Sequence, residues 1–252
     1  MLHHRIYGKG QPIVILHGLF GMLDNWQSFA KKLSDRYQVI AVDQRNHGRS
    51  PRYDEFNYPA LAQDLADLLD HLGIETASVL GHSMGGKSAI QFAIDHSDRV
   101  DRLVVVDIST RHYPGGHHDI FDAVLSLKVD QISSRKVADD HLSARITDLG
   151  VRQFLLKNLS RRQEGGYRWK ADFAGLLTNY DHILSEIEVA TPVEVRTLFV
   201  RGAKSDYIRN DDLDLLRSQF VHVNLTTIDA GHWIHAERPS ELLEAVTRFL
   251  AG

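Results

Sequence analysis

Short runs of apolar, mostly β-branched residues recur along the chain at Ile13 to Leu16, Gln38 to Val42, Ala77 to Leu80, Leu103 to Val106, Thr197 to Val200 and Val223 to Ile228. Their apolar positions are consecutive rather than alternating, which is the pattern of parallel strands covered on both faces. Segments with helical spacing lie between them. Tyr58 to Leu72 is the clearest, with Leu61, Leu65, Leu68, Leu69 and Leu72 falling on one side. Trp26 to Leu33 and Met84 to His96 are two others, and a helix from Pro239 to Leu250 closes the chain. Strands alternating with helices predict an α/β fold, a mostly parallel central sheet flanked by helices on both faces.

The alternation stops after Asp107 and resumes near Val195. The residues between are helical in pattern and contain no convincing strand, so they are expected to form a helical cap, residues 109–189, inserted into a single-domain core made of 1–108 and 190–252. The cap opens on a turn-rich loop, Arg111 to His118, and ends near Ala190-Thr-Pro192, where the proline stops a helix.

A length of 252 residues suits one α/β domain with an insertion. Lysine and arginine total 29 and aspartate and glutamate 33, a net charge of −4 that gives no electrostatic case for nucleic acid or an anionic membrane as partner. There is no cysteine, which excludes disulfides, thiolate metal sites and a cysteine nucleophile. The first residues lack the apolar stretch of a signal peptide, and no segment approaches the roughly 20 apolar residues of a membrane span. A soluble cytoplasmic protein is the expectation.

Against that background Gly81-His82-Ser83-Met84-Gly85 stands out, because it joins the apolar strand ending at Leu80 to an amphipathic helix. A Gly-x-Ser-x-Gly in this setting reads as a nucleophile elbow, a sharp turn that exposes the serine at the tip of a sheet. Gly81 and Gly85 leave room for it. A serine hydroxyl needs a base within hydrogen-bond reach. His232, in Asp229-Ala-Gly-His232-Trp, follows the last strand and emerges at the same sheet edge as Ser83. Its ordinary pKa of about 6.5 suits the taking and returning of one proton. The oxyanion formed on attack needs two N–H donors. The backbone N–H of Met84 is one, and the loop His17-Gly18-Leu19-Phe20-Gly21 supplies the other at Leu19.

His17-Gly18, Gly81 to Gly86 (Gly-His-Ser-Met-Gly-Gly), Gly231 to His235 (Gly-His-Trp-Ile-His) and the turn Asp43-Gln-Arg-Asn-His-Gly-Arg-Ser50 occur in the order seen in the α/β-hydrolase fold family. The chain resembles that family over almost its whole length, and its wording is similar to the small bacterial esterases of the YbfF type and their abhydrolase-domain relatives. In much of the family the acid of the triad sits in a Gly-x-x-Asp stretch after the penultimate strand. Here that stretch is Gly202-Ala-Lys-Ser205-Asp206, with serine at the matching position and Asp206 one residue late. The resemblance offers Asp107 instead, at the end of the strand that follows the elbow unit, where a subset of the family carries its acid. Asp107 is preferred and Asp206 is the alternative.

The resemblance implies hydrolysis of a carboxylic ester of small to medium acyl chain through an acyl-enzyme, without a cofactor. A thioester such as an acyl-coenzyme A passes through the same intermediate and is the nearest alternative substrate. A non-catalytic binding module on the same fold is the alternative of a different class. Dehalogenase and epoxide hydrolase chemistry starts from aspartate at the elbow, and Ser83 argues against both. His47, His82 and His235 are read as structural. His112, His117, His118 and Asp119 form the densest group of metal-ligand types, but in a glycine-rich loop, and no metal site is expected. Arg161, Arg162, Arg168 and Lys170 read as a solvated basic face, with an anionic acyl carrier as the sharper option. Phe20, Trp233, Phe121, Phe154, Tyr167 and Phe173 are candidates for an apolar pocket or for ordinary core.

Overall fold

The computed structural model describes residues 1–252. Strands β1 (His4–Tyr7) and β2 (Pro12–Leu16) are followed by helix α1 (Gln27–Leu33), β3 (Gln38–Val42), α2 (Tyr58–Leu72), β4 (Ala77–His82), α3 (Met84–Asp95) and β5 (Val100–Val106). The chain then leaves the sheet for α4 (His118–Ser126), α5 (Arg135–Ser143), α6 (Leu149–Leu156), the hairpin β6 (Leu159–Arg161) and β7 (Tyr167–Trp169), α7 (Phe173–Thr178) and α8 (Tyr180–Leu184). It returns through β8 (Thr197–Gly202), α9 (Asp212–Gln219), β9 (Val223–Ile228), α10 (Ile234–Glu237) and α11 (Pro239–Ala251).

Seven strands form one sheet in the order β1-β3-β2-β4-β5-β8-β9, all parallel except β1, which runs antiparallel to β3. The two-sided burial expected of parallel strands follows residue by residue. Val14, Leu16, Ile40, Val42, Val79 and Val105 pack on the face of α2 and α3. Ile13, Ile15, Val39, Leu80, Val104 and Val106 pack on the other face, with α1 and α11. Helix α2 shows how local chemistry sets an element. Asn57 accepts the N–H of Ala60 at 2.9 Å, Pro59 sits in the first turn, and Gly73 ends the helix with a left-handed φ of 66°.

The sequence pattern missed two features. Strand β1 is only four residues long and half exposed at the sheet edge, so it carries no continuous apolar run. The expectation of no strand within 109–189 also fails. Three residues on each side pair as a hairpin, Leu159↔Trp169, Ser160↔Arg168 and Arg161↔Tyr167, too short for any period to register. Its turn signal was present in Gly165 and Gly166, both at positive φ.

The chain moves from β2 to β3 on one side, then back to β4 on the other, and such a reversal opens a crevice at the carboxyl ends of the strands. Register brings the strand ends level there. His82 pairs with Val106 and Val106 with Val200, so Ser83 and Asp107 start neighbouring loops, while β8 runs two residues further to Gly202. Over this edge lies the inserted segment, its two arms tied by Tyr113 N–H to Leu184 O at 3.0 Å and Ile187 N–H to Thr110 O at 2.7 Å. No helix is long and apolar enough to cross a membrane.

Candidate active site

Ser83 holds φ 54° and ψ −124°, a conformation that L-residues avoid unless the surroundings enforce it. The enforcement is visible. Its N–H continues the sheet ladder to Val106 O at 2.9 Å, and α3 begins at the next residue. A Cβ at Gly81 would lie 2.0 Å from Gly85 O, and one at Gly85 would lie 2.5 Å from His17 O. Only glycine allows this turn to close.

The structure brings Ser83, His232 and Asp107 together in one hydrogen-bonded chain. His232 Nε2 lies 3.0 Å from Ser83 Oγ, and its Nδ1 lies 2.8 Å from Asp107 Oδ2. Asp107 is fully buried, with φ 52°, and its other oxygen accepts the N–H of Gly202 at 2.9 Å. The hydroxyl of Ser205 also donates to Oδ2. Because Oδ2 takes the ring N–H at Nδ1, Nε2 is left as the acceptor facing the serine hydroxyl. Asp206 is not part of this chain. Its carbonyl receives Arg111 at 3.0 Å, and its side chain makes no hydrogen bond to His232.

The imidazole of His232 is held from several sides. Tyr207 stacks on it with centroids 3.8 Å apart, and the His82 ring packs against it at a tilt with centroids 4.7 Å apart. His82 Nε2 bonds the carbonyl of His232 at 2.9 Å, which fixes the loop. Burial, and then the nearby His232 and His235, push His82 well below the usual imidazole range, so it donates this bond as a neutral ring. His235 stacks on Trp26 at 4.5 Å, and burial lowers it to about 4. The Gly231 N–H is tied to the Glu237 carboxylate at 2.8 Å.

The loop after β2 is braced by two buried histidines. His17 receives the N–H of Gln44 at 3.0 Å on Nε2 and so donates from Nδ1 to Gly18 O at 2.8 Å. His47 receives the N–H of Phe20 at 3.2 Å on Nε2 and donates to Arg45 O at 2.9 Å. Burial lowers them to about 4 and about 3, which keeps both neutral. Phe20 takes a positive φ of 61°. Within this braced turn the N–H of Leu19 has no protein acceptor, while its neighbours Phe20 and Gly21 are both bonded. Met84 opens α3, where a first-turn N–H has no intrahelical partner.

Ser83 opens into a cavity of about 460 Å³, within the range of small-molecule sites. Phe20, Phe154 and Trp233 line it, whereas Phe121, Tyr167 and Phe173 do not and pack in the core. Arg161, Arg162, Arg168 and Lys170 lie outside its wall, with Arg162 paired to Glu164 and Lys170 near Met22 Sδ at 3.7 Å. His112, His118 and Asp119 do not converge with His117 on a common point, and His117 bonds Tyr180 instead.

Sequence reasoning overlooked three lining or supporting residues. Ser205 was legible only as the wrong residue at an acid position. Tyr207 and Lys87 carried no motif. Lys87 is 1% exposed, donates to Arg111 O at 2.7 Å and to Ser185 O, and lies 4.7 Å from the Tyr113 ring. Burial first, and Arg111 second, lower it to about 7.

Comparison with known proteins places this arrangement. Residues 11–134 match the family described as alpha/beta hydrolase fold. The chain is 40% identical over 248 residues to the sn-1-specific diacylglycerol lipase ABHD11 of Mus musculus, covering 95% of this chain and 80% of that protein. It is 39% identical over 244 residues to the esterase YbfF of Escherichia coli, covering 96% and 94%. A solved structure of a marine microorganism esterase superposes with a TM-score of 0.96 at 39% identity, over 98% of each chain.

Proposed function

This chain belongs to the α/β-hydrolase fold family, its relatives support hydrolase activity, and we propose that it is a serine hydrolase of carboxylic esters working through an acyl-enzyme. One observation carries the reading: the continuous path from Asp107 through His232 to Ser83, with bonds of 2.8 and 3.0 Å, ends in a largely apolar cavity.

Ser83 Oγ attacks the acyl carbon while its proton passes to His232 Nε2. The carbonyl π pair moves to oxygen, and the N–H groups of Leu19 and Met84 stabilise that oxyanion; one such donor is typically worth roughly a hundred- to thousandfold in rate. Asp107 keeps the ring oriented and stabilises the imidazolium. The C–O bond to the alcohol then breaks, and His232 gives the proton to the departing oxygen. Water, deprotonated by His232, attacks the acyl-serine in the same geometry; the bond from the acyl carbon to Ser83 Oγ breaks, His232 returns the proton to that oxygen, and the acid leaves. Each step uses side chains and backbone groups of the chain itself.

An ester rather than the thioester of an anionic carrier is favoured because the cavity wall is largely apolar, the basic side chains of the hairpin lie outside it, and of the basic residues that do line it Lys87 is bonded to two carbonyls and Arg111 is paired with Asp212. The names of the relatives, an esterase and a diacylglycerol lipase, point the same way. Wild type and Ser83→Ala assayed on p-nitrophenyl esters of increasing acyl length test the proposal. Turnover with a burst of p-nitrophenol in the first and none in the second is expected. Equal release in both, or none in either, would move the binding-module reading to the front.

A further inference from the structure

His117 stands in the cavity wall, edge-on to Phe20 with ring centroids 5.8 Å apart, so it overlooks the loop that carries Leu19. Its Nδ1 lies 2.6 Å from the hydroxyl of Tyr180, and its own backbone N–H reaches that same hydroxyl at 3.2 Å. The two contacts together fix where the ring proton sits. A phenol has one hydrogen to donate, and here its oxygen already receives a backbone N–H. If Nδ1 also carried a hydrogen, two donors would converge on the phenol oxygen and its hydroxyl hydrogen would face no acceptor. With Nδ1 as acceptor, every group is used: backbone N–H to phenol oxygen, phenol O–H to Nδ1. The proton of the neutral ring then resides on Nε2.

Nε2 makes no hydrogen bond within the protein and is not among the sealed polar atoms, so it is the ring atom left for a ligand. Burial, with His232 and His118 adding, holds His117 at about 4, and the ring is a neutral donor at physiological pH.

We propose that His117 Nε2–H is a fixed hydrogen-bond donor of the binding cavity, selecting substrates with an acceptor oxygen beyond the scissile carboxyl group. Its ligand rests on the ester-hydrolase reading; its tautomer does not. An apolar wall alone ranks substrates by size, whereas a donor that the bound substrate covers penalises one that leaves it unpaired.

Two measurements test this. In protein labelled with ¹⁵N-histidine, and with His117 assigned by its loss in His117→Gln, Nε2 should be the protonated nitrogen; a protonated Nδ1 overturns the proposal whatever the enzyme does. In Ser83→Ala protein the His117 Nε2–H resonance should move on adding 2-methoxyethyl butyrate or ethyl 3-methoxypropanoate but not butyl butyrate or ethyl pentanoate. The first ether places the oxygen on the alcohol side and the second on the acyl side, so the responding one locates it. Equal response to ether and alkyl esters, or none, sinks the selection.

Kinetics give the matching readout. The ratio of kcat/KM for the responding ether over its alkyl counterpart should fall roughly 3- to 10-fold in His117→Phe, the worth of one neutral hydrogen bond. It should recover in part in His117→Gln, whose amide still donates. Both rates falling together with the ratio intact would make His117 merely structural. Should wild type hydrolyse neither these four esters nor the p-nitrophenyl series, the esterase reading fails, and the nitrogen shifts still decide the donor.

Discussion

The hydroxyl of Ser205 donates to the same Asp107 oxygen that receives the ring N–H of His232. The position that would hold the acid in a Gly-x-x-Asp arrangement therefore holds a hydrogen-bond donor to a carboxylate located one strand away, and the serine hydroxyl and the imidazole meet on one carboxylate oxygen. The acid's place can be tested by moving it. Asp107→Asn keeps the shape but presents an amide N–H or a weak acceptor to Nδ1, and turnover should fall about 10⁴-fold. Asp206→Asn, whose side chain makes no bond to His232, should stay within about threefold of wild type. Steady-state kcat on a p-nitrophenyl ester reads both, and the reverse pattern would reassign the acid.

Ser205→Asp in the wild-type background sets a second carboxylate against Asp107, and like charges at hydrogen-bond distance do not both ionise readily. Activity should fall. In the Asp107→Asn background the same change supplies a carboxylate next to an amide and within reach of the loop that faces His232. The double variant should regain at least about tenfold over Asp107→Asn alone. No recovery would mean that the β8 loop holds position 205 too far from the imidazole for direct contact.

The buried histidines predict acid sensitivity. His17, His117 and His235 are lowered to about 4 and His47 to about 3, chiefly by burial, against an ordinary value of 6.5. Between pH 6.5 and 4 the unfolded chain binds protons at these positions that the folded one does not, so stability rises with pH across that window and is lost as pH falls through it. Each ring contributes about 1.4 kcal/mol per pH unit at most. Denaturant midpoints should fall from pH 7 to 4.5, with a slope that steepens below pH 6.5 toward roughly five protons taken up on unfolding, these four rings and the equally buried His82. In His235→Gln, which removes one of these rings from its stack on Trp26, the slope should drop by about one proton; an unchanged slope would show that His235 titrates normally in the fold.

Most of the candidate site could be read from the chain because its parts are local. An elbow needs glycine two residues either side of the serine, and the steric contacts at Gly81 and Gly85 show why no other residue fits. A loop donor needs a turn after a strand, which His17-Gly18 announces. What escaped depends on contacts between distant segments. Ser205 meets Asp107 across 98 positions of sequence, and Tyr207 meets His232 only because β8 and β9 are neighbours. The cap hairpin escaped for a different reason: three-residue strands hold less than two periods of any alternation. Aromatic residues divided the same way, since Phe154 and Phe173 both lie on short cap helices but only Phe154 reaches the cavity.

Lys87 joins the two arms of the inserted segment to α3, the helix that follows Ser83. Its ammonium donates to Arg111 O on the outgoing arm and to Ser185 O on the returning one, beside the backbone bonds of Tyr113 and Ile187. Lys87→Met keeps the stem and removes the donor, leaving two carbonyls without their partner at a cost of about 1–3 kcal/mol each. Part of that is offset by no longer burying a charge. At its value of about 7 the folded lysine is half neutral at pH 7, but giving up a proton that the unfolded chain holds to about pH 10.5 is itself a cost, so the offset is largest near pH 7 and shrinks as pH rises. Between pH 7 and 10.5 the unfolded chain holds a proton on Lys87 that the folded one lacks, and wild-type stability gains with rising pH through this group. The deficit of Lys87→Met against wild type should therefore widen from pH 7 to 10. Hydrogen exchange at the Tyr113 and Ile187 amides should quicken in the variant, because opening the arms is the local event that the ammonium opposes. Unchanged exchange with a constant deficit would reduce Lys87 to an ordinary core lysine with no hold on the cap.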